Sequence, residues 1–191
     1  MGYMARDEEA LRRYAISARR SMGSVLAAQK SRNAVEHILE HEAYRRAEYI
    51  LAYLAAPGEL DVSALCVAAR EAGKKVAYPI WDGQSWMIAA IADEKDMETD
   101  RYGMREPSLV HARIVIPEKL DLILIPGLGY DEKGRRLGWG SGQYDRFLPL
   151  CSKGFKMGVV FEEQVLEHVI QKESGVSVDA VATDTGIREC E

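Results

Sequence analysis

The stretch Asp121-Leu122-Ile123-Leu124-Ile125-Pro126-Gly127 decides the fold. Its four consecutive aliphatic residues put apolar side chains on both faces of a strand, whereas a strand with one face in water alternates apolar and polar residues. Such a strand has to be covered on both faces by other elements. Residues 122–125 are therefore predicted to form the central strand of a helix-covered, largely parallel sheet.

Helical and extended patterns alternate on both sides of this strand. Short apolar and β-branched runs predict strands at residues 49–54, 75–80, 86–91, 157–161 and 178–182. Apolar residues at helical spacing predict helices at residues 7–22, after Asn33 as N-cap, between Asp61 and Gly73, at residues 142–148, and through Val165, Leu166, Val169 and Ile170. The polar segment 92–117 is predicted to be a long surface loop. The alternation predicts one α/β domain over residues 1–191.

Charge and cysteine content limit the partners and the compartment. The 25 Lys and Arg residues against 30 Asp and Glu residues give a net charge of −5, which favours neither nucleic acid nor an anionic membrane as a partner. The arginines of the first helix are assigned to its solvent face: Arg12, Arg13, Arg19 and Arg20. Three cysteines without a Cys-x-x-Cys pair indicate reduced thiols, and the N-terminus shows no secretory signal. We expect a cytoplasmic monomer.

A glycine-rich segment follows the central strand. Residues 126–146 contain six of the 16 glycines, and they come after the carboxyl end of a strand, where open α/β sheets bind ligands. The backbone N–H groups around Gly138, Gly140 and Gly142 can point at an anion. Arg135 and Arg136 offer forked donors to phosphate oxygens, and Asp145 can hold Mg²⁺ through its carboxylate. The segment predicts a site for a polyphosphate with its metal, and the alternative is a glycine-rich turn with solvated arginines.

The same segment resembles the signature of the 5-formyltetrahydrofolate cyclo-ligases, also called methenyltetrahydrofolate synthetases. The resemblance rests on the runs 121–128 and Arg136-Leu-Gly-x-Gly-x-Gly-x-Tyr144-Asp145-Arg146-Phe-Leu, and it continues in family order through Leu11-Arg12, through Tyr53-Leu54-Ala55 with Gly58-Glu59, and through Tyr102-Gly103-Met104-Arg105-Glu106-Pro107. It covers almost the whole chain. It implies a three-layer α/β fold, with an open, largely parallel sheet flanked by helices, similar to the sugar-phosphate isomerase and CoA-transferase group.

The resemblance also implies roles for individual residues. Glu59 and Tyr144 would be catalytic, and Asp145 would hold the Mg²⁺ that accompanies ATP. The implied ATP-binding residues are Arg12, Arg136, Leu137, Gly138, Trp139, Gly140, Ser141, Gly142, Gln143 and Tyr144. The implied folate-binding residues are Leu54, Glu59, Tyr102, Gly140, Ser141, Gly142, Gln143 and Tyr144.

The implied reaction converts 5-formyltetrahydrofolate and ATP to 5,10-methenyltetrahydrofolate, ADP and phosphate. ATP would phosphorylate the formyl oxygen, N10 would attack the activated carbon, and phosphate would leave. Three positions depart from the family pattern: Glu8 stands in place of a lysine, Trp139 in place of an arginine, and Ser174-Gly175 in place of an aspartate. The alternative is therefore a non-catalytic or diverged paralogue that binds a folate or a phosphorylated ligand. A phosphosugar isomerase is suggested by fold analogy alone, and a fold does not carry a function.

Overall fold

An eight-stranded sheet runs through the protein, with the aliphatic strand near its middle. The computed structural model describes residues 8–81, 84–92, 94–99, 105–108, 110–140, 142–170 and 175–191, without the side chains of residues 94 and 143. The helices in this part are α1 (Glu8–Ser21), α2 (Ser24–Glu40), α3 (Glu42–Arg46), α4 (Ser63–Glu71) and α5 (Gln143–Phe147). The strands are β1 (Tyr49–Leu51), β2 (Lys75–Trp81), β3 (Trp86–Ile91), β4 (Met97–Thr99), β5 (Arg105–Pro107), β6 (Arg113–Ile114), β7 (Leu122–Pro126), β8 (Gly129–Asp131), β9 (Arg136–Leu137), β10 (Phe155–Val159), β11 (Val165–Leu166), β12 (Ala180–Thr183) and β13 (Gly186–Glu189).

Strand β7 has the central position that its sequence predicts. Its residues 122–125 are fully buried, and it pairs in parallel with β1 on one side and with β10 on the other. Strands β2 and β12 extend the parallel part, whereas β3, β6 and β13 are added antiparallel towards the edges. The predicted central strand and the largely parallel α/β sheet are both confirmed.

Different layers cover the two faces of the sheet. On one face, Ile38 of α2 and Leu65 of α4 are buried in one cluster with Leu124. On the other face, Phe147 of α5 is buried in a second cluster with Ile123. Because alternate residues of β7 belong to different clusters, the sheet is the middle of three layers.

Tyr130 of β8 packs onto the sheet above β10. Its ring is fully buried, and its hydroxyl donates a hydrogen bond of 2.9 Å to the carbonyl oxygen of Ile125. A Cβ atom at Gly158 would lie 2.7 Å from the Tyr130 ring. Gly158 therefore leaves the space that this ring fills. Burial also raises the pKa of Tyr130 above its ordinary value, which keeps the hydroxyl protonated as a donor.

Most predicted elements are present with small shifts in their bounds. The helix predicted at 7–22 is α1, the helix between Asp61 and Gly73 is α4, and the helix at 142–148 is α5. The strands predicted at 75–80 and 86–91 are β2 and β3, and those at 157–161 and 178–182 correspond to β10 and β12. Strand β1 ends at Leu51, before the predicted end at residue 54, because its pairing with β2 stops there.

The predicted N-cap at Asn33 is wrong. Helix α2 begins at Ser24, directly after Gly23 with its positive φ of 71°, and Asn33 is exposed inside the helix. The buried residues Ser31, Ala34 and Ile38 continue one face through this position. Asn33 therefore faces solvent in an uninterrupted helix, where a capping residue type has nothing to cap.

The helix predicted through residues 165–170 is also wrong. A 3₁₀ turn, Glu162–Gln164, is followed by β11, which pairs in parallel with β8. The Gln164 side chain donates to the Leu128 carbonyl oxygen at 2.7 Å, and the Val169 N–H donates to the carboxylate of Asp131 at 2.8 Å. These long-range partners replace helical hydrogen bonds, and a local apolar pattern does not reveal them.

Residues 92–117 contain more structure than a surface loop. Strand β4 pairs antiparallel with β5, and β6 pairs with β3. The buried hydroxyl of Ser108 donates to the carboxylate of Glu98, which closes the β4–β5 pair. These strands have two or three residues each and are mostly exposed, so they carry too little apolar alternation to be predicted.

No helix in the described ranges combines the length and the apolar character needed to cross a membrane.

We predict that Gly158→Ala destabilises the protein by about 1–3 kcal/mol, because the added methyl group meets the buried Tyr130 ring and overpacks the core. Urea unfolding measures the effect. Tyr130→Phe keeps the ring and loses the hydrogen bond to Ile125, so it should cost about 1 kcal/mol. An unchanged free energy of unfolding for Gly158→Ala would contradict this account of the packing.

Candidate active site

A cavity of about 400 Å³ opens at the carboxyl edge of the parallel strands. The turn after β1, the end of β2 and the glycine-rich segment after β7 all line it. These segments are distant in sequence, and they meet because the carboxyl ends of parallel strands lie along one edge. The volume is suitable for small-molecule substrates.

The turn after β1 presents Glu59 to the cavity. The Glu59 N–H donates to the Ala56 carbonyl oxygen at 2.8 Å, and Gly58 has a φ of 81°. Pro57 and Gly58 thus occupy the two central positions of the turn, where proline and a positive-φ glycine are favoured. The Glu59 carboxylate accepts the Ala56 N–H at 3.0 Å, and the side chain is 10% exposed. Leu54 is half-buried and lines the same cavity.

The first half of the glycine-rich segment is fixed by Asp131. Its carboxylate is 1% exposed, accepts the N–H groups of Lys133 and Val169, and pairs with Arg135 at 2.6 Å. Desolvation raises the pKa of Asp131, but the hydrogen bonds from Arg135 and Val169 outweigh it, and the pKa is lowered. Arg135, a predicted phosphate ligand, is therefore used to hold the segment, and it is absent from the described cavity lining.

The second half borders the cavity with open backbone. Gly138, Trp139, Gly140 and Gly142 all line it. In the ranges that the structure describes, the N–H groups of Gly138, Trp139 and Gly140 donate to no other residue. Leu137 is different, because its side chain is buried in a cluster with Ala15 and away from the cavity. The predicted anion-binding stretch is therefore reduced to the backbone from Gly138 onwards.

Arg12 connects α1 to this open backbone. Its Nε donates to the Gly138 carbonyl oxygen at 3.0 Å, and its Nη2 pairs with the Glu8 carboxylate at 2.5 Å. Both side chains line the cavity. The acidic residue at position 8 therefore neutralises an arginine on the glycine-rich side of the site.

Arg136, Asp145 and Tyr144 form a compact group at the base of the cavity. Arg136 donates to the Asp145 carboxylate at 2.8 Å, and its guanidinium lies 5.2 Å from the centroid of the Tyr144 ring. Burial raises the pKa of Tyr144, the charge of Glu59 raises it further, and Arg136 opposes them. Tyr144 therefore stays a protonated phenol, and its pKa responds both to Glu59 and to Arg136.

The two aspartates that follow Gly175 in the sequence do not join Asp145 in the described lining. Gly175 lines the cavity, whereas Asp179 and Asp184 do not. Asp179 accepts the Lys156 N–H at 2.7 Å, and Asp184 pairs with Lys30 at 2.8 Å. Both nearby aspartates are therefore used to hold other elements.

Sequence reasoning missed Arg19. The prediction placed it on the solvent face of the first helix, but its side chain is 6% exposed and 3.7 Å from the Glu59 carboxylate. The available signal was spacing, since Arg12, Ala15 and Arg19 lie on one face of a helix. The pair of Trp81 and Trp86, with ring centroids 5.4 Å apart, also lines the cavity and was missed.

Three predicted site residues lie wholly or partly outside the described part of the chain. Tyr102 and Ser141 lie outside the described residues, and so does the side chain of Gln143. The other predicted residues, apart from Leu137 and Arg135, are brought together around one cavity.

The fold and the cavity define an α/β protein with a cavity of small-molecule size at the carboxyl edge of a parallel sheet. The model of the 5-formyltetrahydrofolate cyclo-ligase family matches residues 4–184. The chain therefore belongs to this family, as its sequence resemblance predicts.

Individual relatives agree with this assignment. A probable 5-formyltetrahydrofolate cyclo-ligase of Caenorhabditis elegans is 29% identical over 167 residues, which cover 80% of this chain and 81% of the relative. The 5-formyltetrahydrofolate cyclo-ligase of Escherichia coli K12 is 26% identical over 167 residues, which cover 84% of this chain and 91% of the relative. The NMR structure of Aquifex aeolicus 5,10-methenyltetrahydrofolate synthetase has a TM-score of 0.85 at 25% identity, covering 95% of this chain and 92% of that one. The predicted fold class is thereby confirmed.

We predict that Asp131→Asn destabilises the protein by about 3 kcal/mol at neutral pH, because a buried ion pair loses its acid. The lowered pKa of Asp131 means that its contribution is complete above the unfolded pKa of about 3.9 and is lost as the pH falls through the folded value. Urea unfolding at pH 7 and pH 3 should show the difference from wild type shrinking at the lower pH. The exposed neighbour variant Glu132→Gln is the control, and a pH-independent difference would contradict the assignment.

Proposed function

We propose that this chain closes the ring of 5-formyltetrahydrofolate in an ATP-dependent reaction, as its family is named for doing, and that residues 1–191 form one domain for this purpose. The products are 5,10-methenyltetrahydrofolate, ADP and phosphate. The observation that supports this proposal best is that the Glu59 turn and the open glycine backbone line the same cavity. The two substrates can then react with each other without moving between sites.

The glycine-rich side is suited to ATP. The N–H groups of Gly138, Trp139 and Gly140 offer hydrogen bonds to phosphate oxygens, and Arg12 and Arg136 supply positive charge beside them. Phosphoryl transfer depends mainly on positioning and on neutralising charge. These groups would hold the phosphates while the formyl oxygen takes the transferred group.

The Glu59 side is suited to the folate. When N10 attacks the activated formyl carbon it becomes positively charged. Its proton has to leave, and phosphate departs, before the amidinium ring of the product is complete. The Glu59 side chain is 10% exposed at the cavity and its carboxylate is held by the Ala56 N–H, so we assign it as the acceptor of that proton. Leu54 would contact the folate. The protonated hydroxyl of Tyr144 would lie between the two substrates and act as a hydrogen-bond donor there.

Asp145 fits a magnesium ion that arrives with ATP. Mg²⁺ is commonly held by one or two carboxylates together with substrate phosphates and water. Asp145 is one such carboxylate, and its side chain is 26% exposed at the cavity. No group of three or more His, Cys, Asp or Glu side chains that could hold a metal is found in the described part of the chain. The donor set therefore suits a metal carried by the nucleotide, and Mg²⁺ would neutralise charge on the phosphates.

Arg136 would change partner when the nucleotide binds. One oxygen of Asp145 accepts a hydrogen bond from Arg136 at 2.8 Å. Asp145 would hold the metal, which would neutralise the charge that Arg136 pairs with. Arg136 could then turn to the phosphates, so that binding of the metal and binding of ATP would assist each other.

A non-catalytic binding protein is the second candidate. It is favoured by the pairing of both nucleotide-side arginines with acids, Arg12 with Glu8 and Arg136 with Asp145. These pairs reduce the positive field that attracts triphosphate. Calorimetric titration separates the candidates, because a binder would retain folate affinity with millimolar or absent ATP affinity.

We propose the cytoplasm as the compartment and a single copy as the active form. The three cysteines, all within the described residues, are thiols and form no disulfide. Thiols persist in reducing compartments. The described lining of the cavity comes from one chain, so a monomer can carry the site. The expected partners are reduced folate and ATP, without nucleic acid or a membrane surface.

We predict ATP-dependent formation of the methenyl product from 5-formyltetrahydrofolate, followed by its absorbance. Glu59→Gln should lower kcat by about 100-fold or more, because it removes the proton acceptor. Its ATP affinity should stay within about threefold, since Glu59 lies on the folate side. Absence of product from the folded wild-type protein at saturating ATP and Mg²⁺ would overturn the catalytic proposal.

We predict that Asp145→Asn removes the Mg²⁺-dependent part of ATP affinity, about tenfold or more. In the presence of a chelator, ATP should bind the variant at least as well as wild type, because Arg136 no longer has an acidic partner. Calorimetry measures both affinities, and Asp179→Asn, outside the described lining, is the matched control. Equal loss of ATP affinity in Asp145→Asn and Glu59→Gln would contradict this division of the cavity.

A further inference from the structure

Arg19 lies beneath the Glu59 turn as a buried cation. Its Nε donates to the Gly58 carbonyl oxygen at 2.8 Å, and its Nη1 lies 3.7 Å from the Glu59 carboxylate. Burial lowers the pKa of Arg19, and the charge of Glu59 opposes this effect. An arginine nevertheless stays charged in a protein, so a permanent positive charge faces the Glu59 carboxylate.

The contact between Arg19 and Glu59 is incomplete. Nη1 is buried and has no hydrogen-bond partner among the described residues, and 3.7 Å is an ion-pair distance beyond an ordinary hydrogen bond. One Glu59 oxygen accepts the Ala56 N–H at 3.0 Å, while the other faces Arg19. The carboxylate is thus held from two sides, and Arg19 is the cation that pairs with it in the described structure.

Arg19 also contacts the glycine-rich segment. Its guanidinium lies 5.7 Å from the centroid of the Trp139 ring, a distance at which a cation is attracted to an aromatic face. Trp139 stands between Gly138 and Gly140, both of which line the cavity. One side chain therefore contacts the turn that carries Glu59 and the segment proposed to bind ATP.

Helix α1 holds both segments through a single face. Arg12 and Arg19 are seven residues apart, which places them two turns apart on one side of the helix. Arg12 binds the Gly138 carbonyl oxygen at 3.0 Å, Arg19 binds that of Gly58, and the fully buried Ala15 lies between them. The rigid helix fixes the separation of the two segments.

We propose that Arg19 is a positioning residue, which orients the Glu59 carboxylate towards the folate and sets the distance between the Glu59 turn and the glycine-rich segment. This role rests on the proposed function. Removing Arg19 leaves a largely enclosed carboxylate without its counter-charge, so Glu59 would change its orientation. The folate side of the reaction then suffers most, because the ATP phosphates are held by other groups.

Steady-state kinetics and calorimetry on Arg19→Gln test this role, with the exposed neighbour Arg20→Gln as the matched control. We expect kcat/KM for 5-formyltetrahydrofolate and the folate affinity to fall by about 10- to 100-fold, and ATP affinity to stay within about threefold. Arg20→Gln should resemble wild type. Equal losses for both substrates, or no difference between the two variants, would overturn the proposal.

Chemical rescue separates positioning from a purely structural role. A cavity of about 120 Å³ lies beside Arg19, between Ile16 and Trp139, so Arg19→Ala has room for added methylguanidinium. Rescue should restore at least part of kcat in Arg19→Ala and none in Arg19→Ala/Glu59→Gln, where the carboxylate is gone. Rescue that is independent of Glu59, or no rescue in folded Arg19→Ala, would contradict the proposal. If Arg19→Ala does not fold, Arg19→Lys replaces it, and it should fall between wild type and Arg19→Gln in folate affinity; a value equal to Arg19→Gln would contradict the role of charge.

Measurements on the wild-type protein distinguish a failure of the catalytic proposal from a failure of the proposed role of Arg19. If wild type binds folate without turnover, the catalytic proposal is wrong. The loss of folate affinity in Arg19→Gln still reports on Arg19, because calorimetry needs no reaction.

Discussion

The burial of β7 on both faces is the constraint on which the site depends. Ile123 and Leu124 point into different clusters, so β7 can lie only between two layers and between two parallel neighbours. The chain must then leave β7 at the same edge at which it leaves β1. This brings the Glu59 turn and the glycine-rich segment to one cavity. The positions of the candidate catalytic groups are thus a consequence of which strands are apolar throughout.

The glycine-rich segment divides into a fixed half and an open half. In the fixed half, the buried carboxylate of Asp131 binds Arg135 and the Val169 N–H, which fastens β8 to the chain that follows β10. In the open half, glycines line the cavity without side chains that would fill it. The N–H groups of residues 138–140 donate to no other described residue, so they are available to a ligand beside the fixed half. Composition alone suggests one continuous loop, because it does not distinguish the two halves.

Local sequence patterns predicted the elements that are stabilised by local interactions or that are strongly apolar. Residues 122–125 reveal their strand because burial on both faces leaves no polar position, and α4 ends before Gly73, which has a positive φ. Two of the failures involve long-range partners. The apolar spacing at Val165 and Val169 suggests a helix, but the carboxylate of Asp131 binds the Val169 N–H. Arg19 has the composition of a solvent-facing position, and only the tertiary approach of the Glu59 turn buries it. The quoted family motifs located Glu59 and Asp145, whereas the pairing of Asp145 with Arg136 required the structure.

Three arginines near the cavity are each paired with an acid: Arg12 with Glu8, Arg19 with Glu59, and Arg136 with Asp145. Unpaired charges in a partly buried cavity are costly, so the pairs stabilise the protein before its substrates bind. They differ in what a substrate can replace. The Arg136–Asp145 pair lies where a metal and a phosphate would each provide a new partner, so exchange there costs little. Arg19 has a further hydrogen bond to Gly58 and a contact with Trp139, which a substrate does not offer. The first pair is therefore suited to exchange during binding, and the second is suited to remain in place and orient Glu59.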